Sequence, residues 1–333
     1  MRIASRFLLV CAVLLPLFPA QAQRFPLTAG LADSSFAMRI TGLNATTFPD
    51  ISMKVKLFNG QRVVRDTTFT TIVASENGTI QRAQIVCPMR PFAAALVLDK
   101  SLSMAFYPNS MDPDPDSTRW NTAKGALHSF IDELSPIDEC ALVSFARNPR
   151  VEVALTKDKK LLDDLLEGVK LASGTGIWLA VQSAINILAP RTESKAIILL
   201  TDGEDNSSGS TTMYKVAAAA KKAGIRIFAV GLAEIGSRDL LTELADSTGG
   251  KYFFSATGAD LADIYYEITA QLVDDCTLTY STSEFCTDGT QRDVHLFGVL
   301  KSETATADTF YTCLLYTSPS PRDRTRSRMP SSA

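Results

Sequence analysis

Residues 92–104 read Phe92-Ala93-Ala94-Ala95-Leu96-Val97-Leu98-Asp99-Lys100-Ser101-Leu102-Ser103-Met104. The apolar run suits a strand buried on both faces, as in a parallel sheet, and the residues after it place oxygen-bearing side chains at its carboxyl end. Downstream, Trp120, Ala123, Leu127, Phe130, Ile131 and Leu134 recur at helical spacing. Strand-like runs follow at 140–145 and 151–155, then a helix in which Leu161, Leu162, Leu165, Leu166 and Val169 share a face. A helix at 177–188, a buried-type strand at 196–200, a helix at 212–222, a strand at 225–230 and a helix at 237–247 continue the alternation. A strand at 252–254 and a helix at 259–273 close it. Strands separated by helices of this length predict an α/β unit over 91–274, with a doubly wound, mostly parallel six-stranded sheet. The link through Asn148-Pro149 is too short for a crossover, so the strand at 151–155 is expected to be an antiparallel edge.

Outside this unit the rhythm has period two. Residues 52–58 alternate and meet Asn59-Gly60, and a second turn signal stands at Glu76-Asn77-Gly78. A small β-sandwich of immunoglobulin type is expected over 23–90, and residues 275–312 read as the start of a further β-domain, cut short. Arg2 and Arg6, an apolar run over 7–18 and Ala20-Gln21-Ala22 have the order of a cleaved secretory signal, assigned to 1–22. About 12 apolar residues fall short of the roughly 20 that span a bilayer, so no transmembrane segment is expected. Residues 313–333, rich in Ser, Pro and Arg, lose all core-forming periodicity. They resemble translated sequencing-adapter read-through and are expected to be disordered, with the genuine protein continuing differently after residue 312.

With 46% hydrophobic and 21% charged residues, the 333-residue chain has an ordinary globular composition. Setting aside the six basic and one acidic residue of the two ends reduces 33 basic and 36 acidic residues to 27 and 35, a body charge of −8. That balance disfavours nucleic acid and anionic membrane as partners. Two histidines, His128 and His295, leave almost no material for Ser-His-Asp or histidine-zinc chemistry. They read as structural, whereas Asp163 and Asp164, on the polar face of a leucine-lined helix, read as exposed surface. Trp120, Trp178, Tyr265 and Tyr266 stand at helical positions where core burial is the default.

Ligands of open α/β sheets gather beyond the carboxyl ends of the strands. After the first strand come Asp99, Ser101 and Ser103, before the helix at 177–188 comes Ser173-Gly174-Thr175-Gly176, and after the strand at 196–200 comes Thr201-Asp202-Gly203-Glu204-Asp205-Asn206. Carboxylates and hydroxyls without His or Cys suit Mg2+, Mn2+ or Ca2+ better than zinc or copper. Asp112, Asp114 and Asp116 alternate with prolines in a loop that lacks the Gly and distal Glu of the helix-loop-helix calcium pattern, and they read as a solvated acidic loop.

The three polar segments, in this order, resemble the metal-ion-dependent adhesion site of the von Willebrand factor type A domain family, over about residues 92–273. The resemblance implies that Ser101, Ser103 and Thr175 offer hydroxyl oxygens to a divalent cation, with Asp99 and Asp202 supplying charge directly or through water. It also implies an open position for the carboxylate of a protein partner. Lys100 departs from the family pattern, as does Leu102, where Gly is frequent. The function this suggests is an exported, non-enzymatic, metal-dependent binding module for adhesion or surface assembly, secreted or extracytoplasmic. The alternatives are a structural spacer of a larger surface protein and a non-catalytic subunit of an enzyme assembly.

Cysteines fit an oxidising compartment. Cys87 precedes the first sheet strand and Cys276 follows the last helix. Helices run antiparallel to their strands, so the two cysteines are expected near one another. A local Cys276–Cys286 loop is the rival pairing, and Cys140 reads as a buried thiol.

Overall fold

The computed structural model describes residues 36–65, 70–106, 118–232, 238–254, 258–282 and 289–313. The expected signal segment, the Asp112–Asp116 loop, Cys286 and residues 314–333 lie outside them. The first strands are β1 (Phe36–Asn44), β2 (Asp50–Asn59), β3 (Arg62–Val63), β4 (Thr70–Glu76), β5 (Thr79–Gln81) and β6 (Gln84–Val86). Alternation in β2 turns Ile51, Met53, Val55 and Leu57 inward. β4 and β5 join through Asn77 and Gly78 at φ 47° and 82°, the positive pair that a two-residue hairpin turn requires.

The α/β unit follows: β7 (Phe92–Asp99), a 3-10 turn (Leu102–Ala105), α1 (Arg119–Glu133), β8 (Glu139–Phe145), β9 (Pro149–Thr156), α2 (Lys159–Gly168) and α3 (Ile177–Leu188). Then come β10 (Ser194–Thr201), α4 (Met213–Ala223), β11 (Ile225–Gly231), α5 (Arg238–Ser247), β12 (Tyr252–Phe254) and α6 (Gly258–Leu272). The sheet order is β12-β11-β10-β7-β8-β9, parallel except for β9, which runs antiparallel at the edge as expected. β7 is buried at every position. Its Phe92, Ala94, Leu96 and Leu98 pack under α1, α2 and α6. Ala93, Ala95 and Val97 pack under α3, α4 and α5. Chain order reverses at β7, which lies between β8 and β10, so the loops after β7 and β10 open around one crevice.

The β regions correct the expected domain division. β13 (Cys276–Ser281), β14 (Gln291–Leu300) and β15 (Glu303–Thr312) do not begin a separate truncated domain. β13 pairs between β2 and β6, and β14 pairs between β15 and β4. One sandwich results, with sheets β1-β2-β13-β6 (β3 attached to β2) and β15-β14-β4-β5. The α/β unit is inserted into it. The cause is the shared core, in which Leu278, Tyr280, Val294 and Leu296 pack with Ile51, Met53, Val55, Leu57 and Ala74. Strands on only one side of the insertion would leave both that core and the edges of β2 and β4 uncovered. The boundary at 313 shifts too, because Cys313 is buried in this core and disulfide-bonded.

The two ends of the insertion are tied. Cys87 and Cys276 form a disulfide with Cα atoms 4.1 Å apart, which excludes the rival Cys276–Cys286 pairing. Cys140 is free, and burial pushes its thiol up to about 12. Lys56 of β2 donates to the carbonyls of Val273 (3.0 Å) and Ala270 at the end of α6, where a cation meets the negative end of the helix dipole. Arg65 pairs at 2.6 Å with Asp138, which also accepts the backbone N–H groups of Phe92 and Ser135. Closing a 189-residue separation contributes about 5 kcal/mol in the chain-entropy model. Non-reducing peptide mapping should therefore yield a Cys87–Cys276 linked peptide. Cys276→Ser should lower the free energy of urea unfolding by about 2–5 kcal/mol.

Candidate metal centre

Three segments meet at the crevice. The first leaves β7 and is pinned by Lys100, whose N–H donates to the Phe145 carbonyl and whose carbonyl accepts from the Ala172 N–H, both at 2.8 Å. Ser101 then starts the 3-10 turn. The second is Ser173-Gly174-Thr175-Gly176. Gly174 has φ +90°, and a Cβ on Gly176 would lie 2.7 Å from the Arg147 carbonyl oxygen. Both glycines are therefore demanded by backbone geometry, which holds Thr175 between them. The third leaves β10. Asn206 Oδ1 accepts the Thr175 N–H at 3.0 Å, and the N–H groups of Asn206 and Ser207 return to the Thr175 carbonyl at 2.9 and 3.1 Å. The second and third segments are thus tied together by three hydrogen bonds.

The side chains form a directed hydrogen-bond chain. Ser103 Oγ donates to Asp202 Oδ1 at 2.8 Å, which commits its single proton. Ser101 Oγ, 2.9 Å from Ser103 Oγ, is consequently the donor of that pair. Asp99 accepts from the Ser101 N–H at 2.8 Å and from Thr201 Oγ1 at 2.6 Å. A Cβ on Gly203 would stand 3.8 Å from Thr175 Oγ1 and 3.9 Å from Ser103 Oγ, so the Thr175 hydroxyl faces the same space. The structure therefore brings Asp99, Ser101, Ser103, Thr175 and Asp202 together, and all but the half-buried Ser103 are buried. Burial raises the Asp99 carboxyl to about 6, against the hydrogen bonds from Thr201 and Ser101, and the charge of Asp202 adds to the rise. Two carboxylates and three hydroxyls in one crevice are a fitting donor set for a hard divalent cation, because the cation would relieve that burial cost directly. Among the described residues no group of three or more His, Cys, Asp or Glu is arranged so as to hold a metal ion.

Lys100 turns away from the crevice. Its Nζ lies 3.7 Å from Glu152 Oε1 on β9, so its charge is engaged elsewhere. Leu102 and Phe106 are 55% and 65% exposed beside the serines. Sequence reading missed Arg119, the first residue of α1, whose Nη1 donates to Asp202 Oδ2 at 2.9 Å. Only its place directly after Thr118, which caps α1, carries any signal. Trp178 and Tyr265 are core residues as expected. His128 is structural, bridging Asp163 (2.6 Å) and Glu167 (2.7 Å) and so fastening α1 to α2.

The family model for the von Willebrand factor type A domain matches residues 95–267. A UPF0353 protein of Mycobacterium ulcerans is 26% identical over 212 residues, covering 56% of this chain and 62% of that protein. The chain thus spans about three fifths of the length of the curated relatives it matches. Two solved structures are similar in fold. The von Willebrand factor type A protein of Catenulispora acidiphila is 15% identical, with 86% of this chain and 75% of that one covered and a TM-score of 0.48. Proximal thread matrix protein 1 of the mussel byssus, with a zinc-occupied adhesion-site motif, is 21% identical, with 58% and 49% covered and a TM-score of 0.47.

The His128 bridge predicts a pH dependence. Burial works against the imidazolium, but Asp163 and Glu167 outweigh it and raise the His128 pKa above 6.5. A raised folded pKa gives stability that is complete below the unfolded value and is lost as pH rises through the folded one. In urea unfolding, His128→Gln should cost stability at about pH 6 and markedly less at about pH 9.

Proposed function

We infer the function of this chain from one premise: it belongs to the von Willebrand factor type A domain family. Domains of this family are often cation-binding, protein-interaction modules. We propose that this one is an exported, non-catalytic module that holds Mg2+, Mn2+ or Ca2+ and binds a protein partner through an acidic side chain. The observation that carries the reading is the convergence of Asp99, Ser101, Ser103, Thr175 and Asp202 from three separate segments onto one crevice.

In this reading Ser101, Ser103 and Thr175 present neutral oxygens to the cation. Asp202 holds the Ser103 hydroxyl by accepting its hydrogen bond, and Asp99 accepts from the Ser101 N–H and the Thr201 hydroxyl. Thr201 and Asn206 orient the carboxylate of Asp99 and the backbone of Thr175. A bound divalent cation supplies a Lewis-acidic point that attracts a partner's carboxylate, all the more because so few of its ligands carry charge. Exposed Leu102 and Phe106 give the rim of the crevice an apolar character that suits a protein surface. Export is supported by the apolar amino-terminal run and by the Cys87–Cys276 and Cys313 disulfides. No helix of the described residues is long and apolar enough to cross a membrane. The adhesive or assembly role and the carboxylate-bearing partner follow from this reading and are proposed with it.

Titrating Mg2+ or Mn2+ into chelator-treated protein should release or absorb heat and raise the melting temperature. Ser103→Ala or Thr175→Ala should weaken binding by about tenfold or more, the scale of one lost ligand or supporting group. A wild-type protein that shows neither heat nor stabilisation refutes the cation centre. Capture of partners that is indifferent to EDTA refutes the metal-dependent interface and favours a spacer.

A further inference from the structure

Arg119 has no part in the motif, yet it is the one basic side chain bonded to it among the described residues. Its side chain is largely enclosed, at 17% exposure, and its guanidinium reaches Asp202, whose side chain is fully buried. The chain Ser101 to Ser103 to Asp202 accounts for Oδ1 of that carboxylate, and Arg119 occupies Oδ2. The contact is single, not the two-pronged pairing that arginine prefers, and Nε is buried without a hydrogen-bond partner among the described residues. An orphaned donor is costly, so packing alone gives no reason to hold the guanidinium here. The backbone also supports the placement: the Arg119 N–H donates to the Phe106 carbonyl at 3.2 Å, which joins the start of α1 to the loop carrying Ser101 and Ser103.

We propose that Arg119 is a resident counter-ion and positioning residue that lowers the affinity of this centre for divalent cations. This rests on the reading of the crevice as a cation centre. With Arg119 in place, Asp99 and Asp202 present a net charge of −1 instead of −2, and Asp202 keeps one oxygen engaged. The protein can therefore fold with the crevice free of cation, because Asp202 is already neutralised. A cation that enters is held by fewer free charges, and more of its pull is left for a partner's acid group. Arg119 thereby trades tightness of cation binding for strength of partner binding.

The test uses Mg2+ alone, titrated calorimetrically into the chelator-treated full chain as wild type, Arg119→Gln and Arg119→Lys. Arg119→Gln should bind Mg2+ tenfold or more tightly than wild type, the lower end of what one charge a few ångströms away does to the affinity of a buried carboxylate for a proton. Arg119→Lys keeps the charge and should stay close to wild type. Arg119→Gln should also melt lower than wild type in EDTA and gain more from added Mg2+. If it does not fold in EDTA, refolding with rising Mg2+ supports the proposal, and failure to refold at saturating Mg2+ overturns it by making Arg119 a structural residue. Equal Mg2+ affinity in wild type and Arg119→Gln overturns this inference alone. Absence of heat in all three proteins overturns the cation centre, and the inference with it.

Discussion

Two carboxylates held close together out of water are the constraint around which the α/β unit is arranged. Asp99 ends β7 and Asp202 follows β10, the strand next to it, and both are buried. Burial in such a place opposes ionisation, and the neighbouring like charge adds to it, as the raised Asp99 shows. Every neighbour answers that cost. Thr201 and the Ser101 amide attend to Asp99, while Ser103 and Arg119 attend to Asp202. The Gly174-Thr175-Gly176 turn can approach only because its glycines leave room for the Arg147 backbone. Packing deeper in the sheet has the same effect, since a β7 buried on both faces cannot slide and so fixes where Asp99 stands.

Much of this was legible in the amino-acid order, and what was not has a physical cause. The run from Phe92 to Leu98 announces a doubly covered strand because burial on two faces removes alternation. Helical spacing around Leu127 and Leu162 announced the layers, and the short Asn148-Pro149 link announced the antiparallel β9. Asp99, Ser101, Ser103 and Asp202 stand at or just past the ends of β7 and β10, where open α/β sheets place their ligands, and the family resemblance added Thr175 from the loop before α3, so the residues that converge on the crevice were legible. The partner of β13 was not legible. Its alternation, with Leu278 and Tyr280 inward, marks a strand but says nothing about which edge it joins, and that edge belongs to β2, more than two hundred residues earlier. Arg119 was hidden for a similar reason. An arginine at the start of an amphipathic helix reads as solvated, and only the fold brings it to Asp202. The domain boundary at residue 313 misled because loss of periodicity begins just after a cysteine that the core still uses.

The sandwich and its insertion share more than a covalent joint. Val63 of β3 packs against the helix layer made by α1 and α6. Lys56 holds the end of α6, and Arg65 supplies the buried partner that Asp138 needs. These contacts come from β2, β3 and the residues just after them, the part of the sandwich nearest the joint. The orientation of the crevice relative to the β regions is therefore set by specific pairs, and does not depend on a loose linker.

The bridge at the joint also decides how the molecule carries a mechanical load. Pulling on β1 and β15 in opposite directions sends force along β1 to β6, across the sulfur–sulfur bond, and out through β13 to β15. The inserted unit hangs outside that path. Its 189-residue excursion would yield about 600 Å of slack if it were drawn straight, but none of that length can be paid out while the bond is intact. A crevice mounted on such a bypass keeps its shape while the strands around it bear the strain.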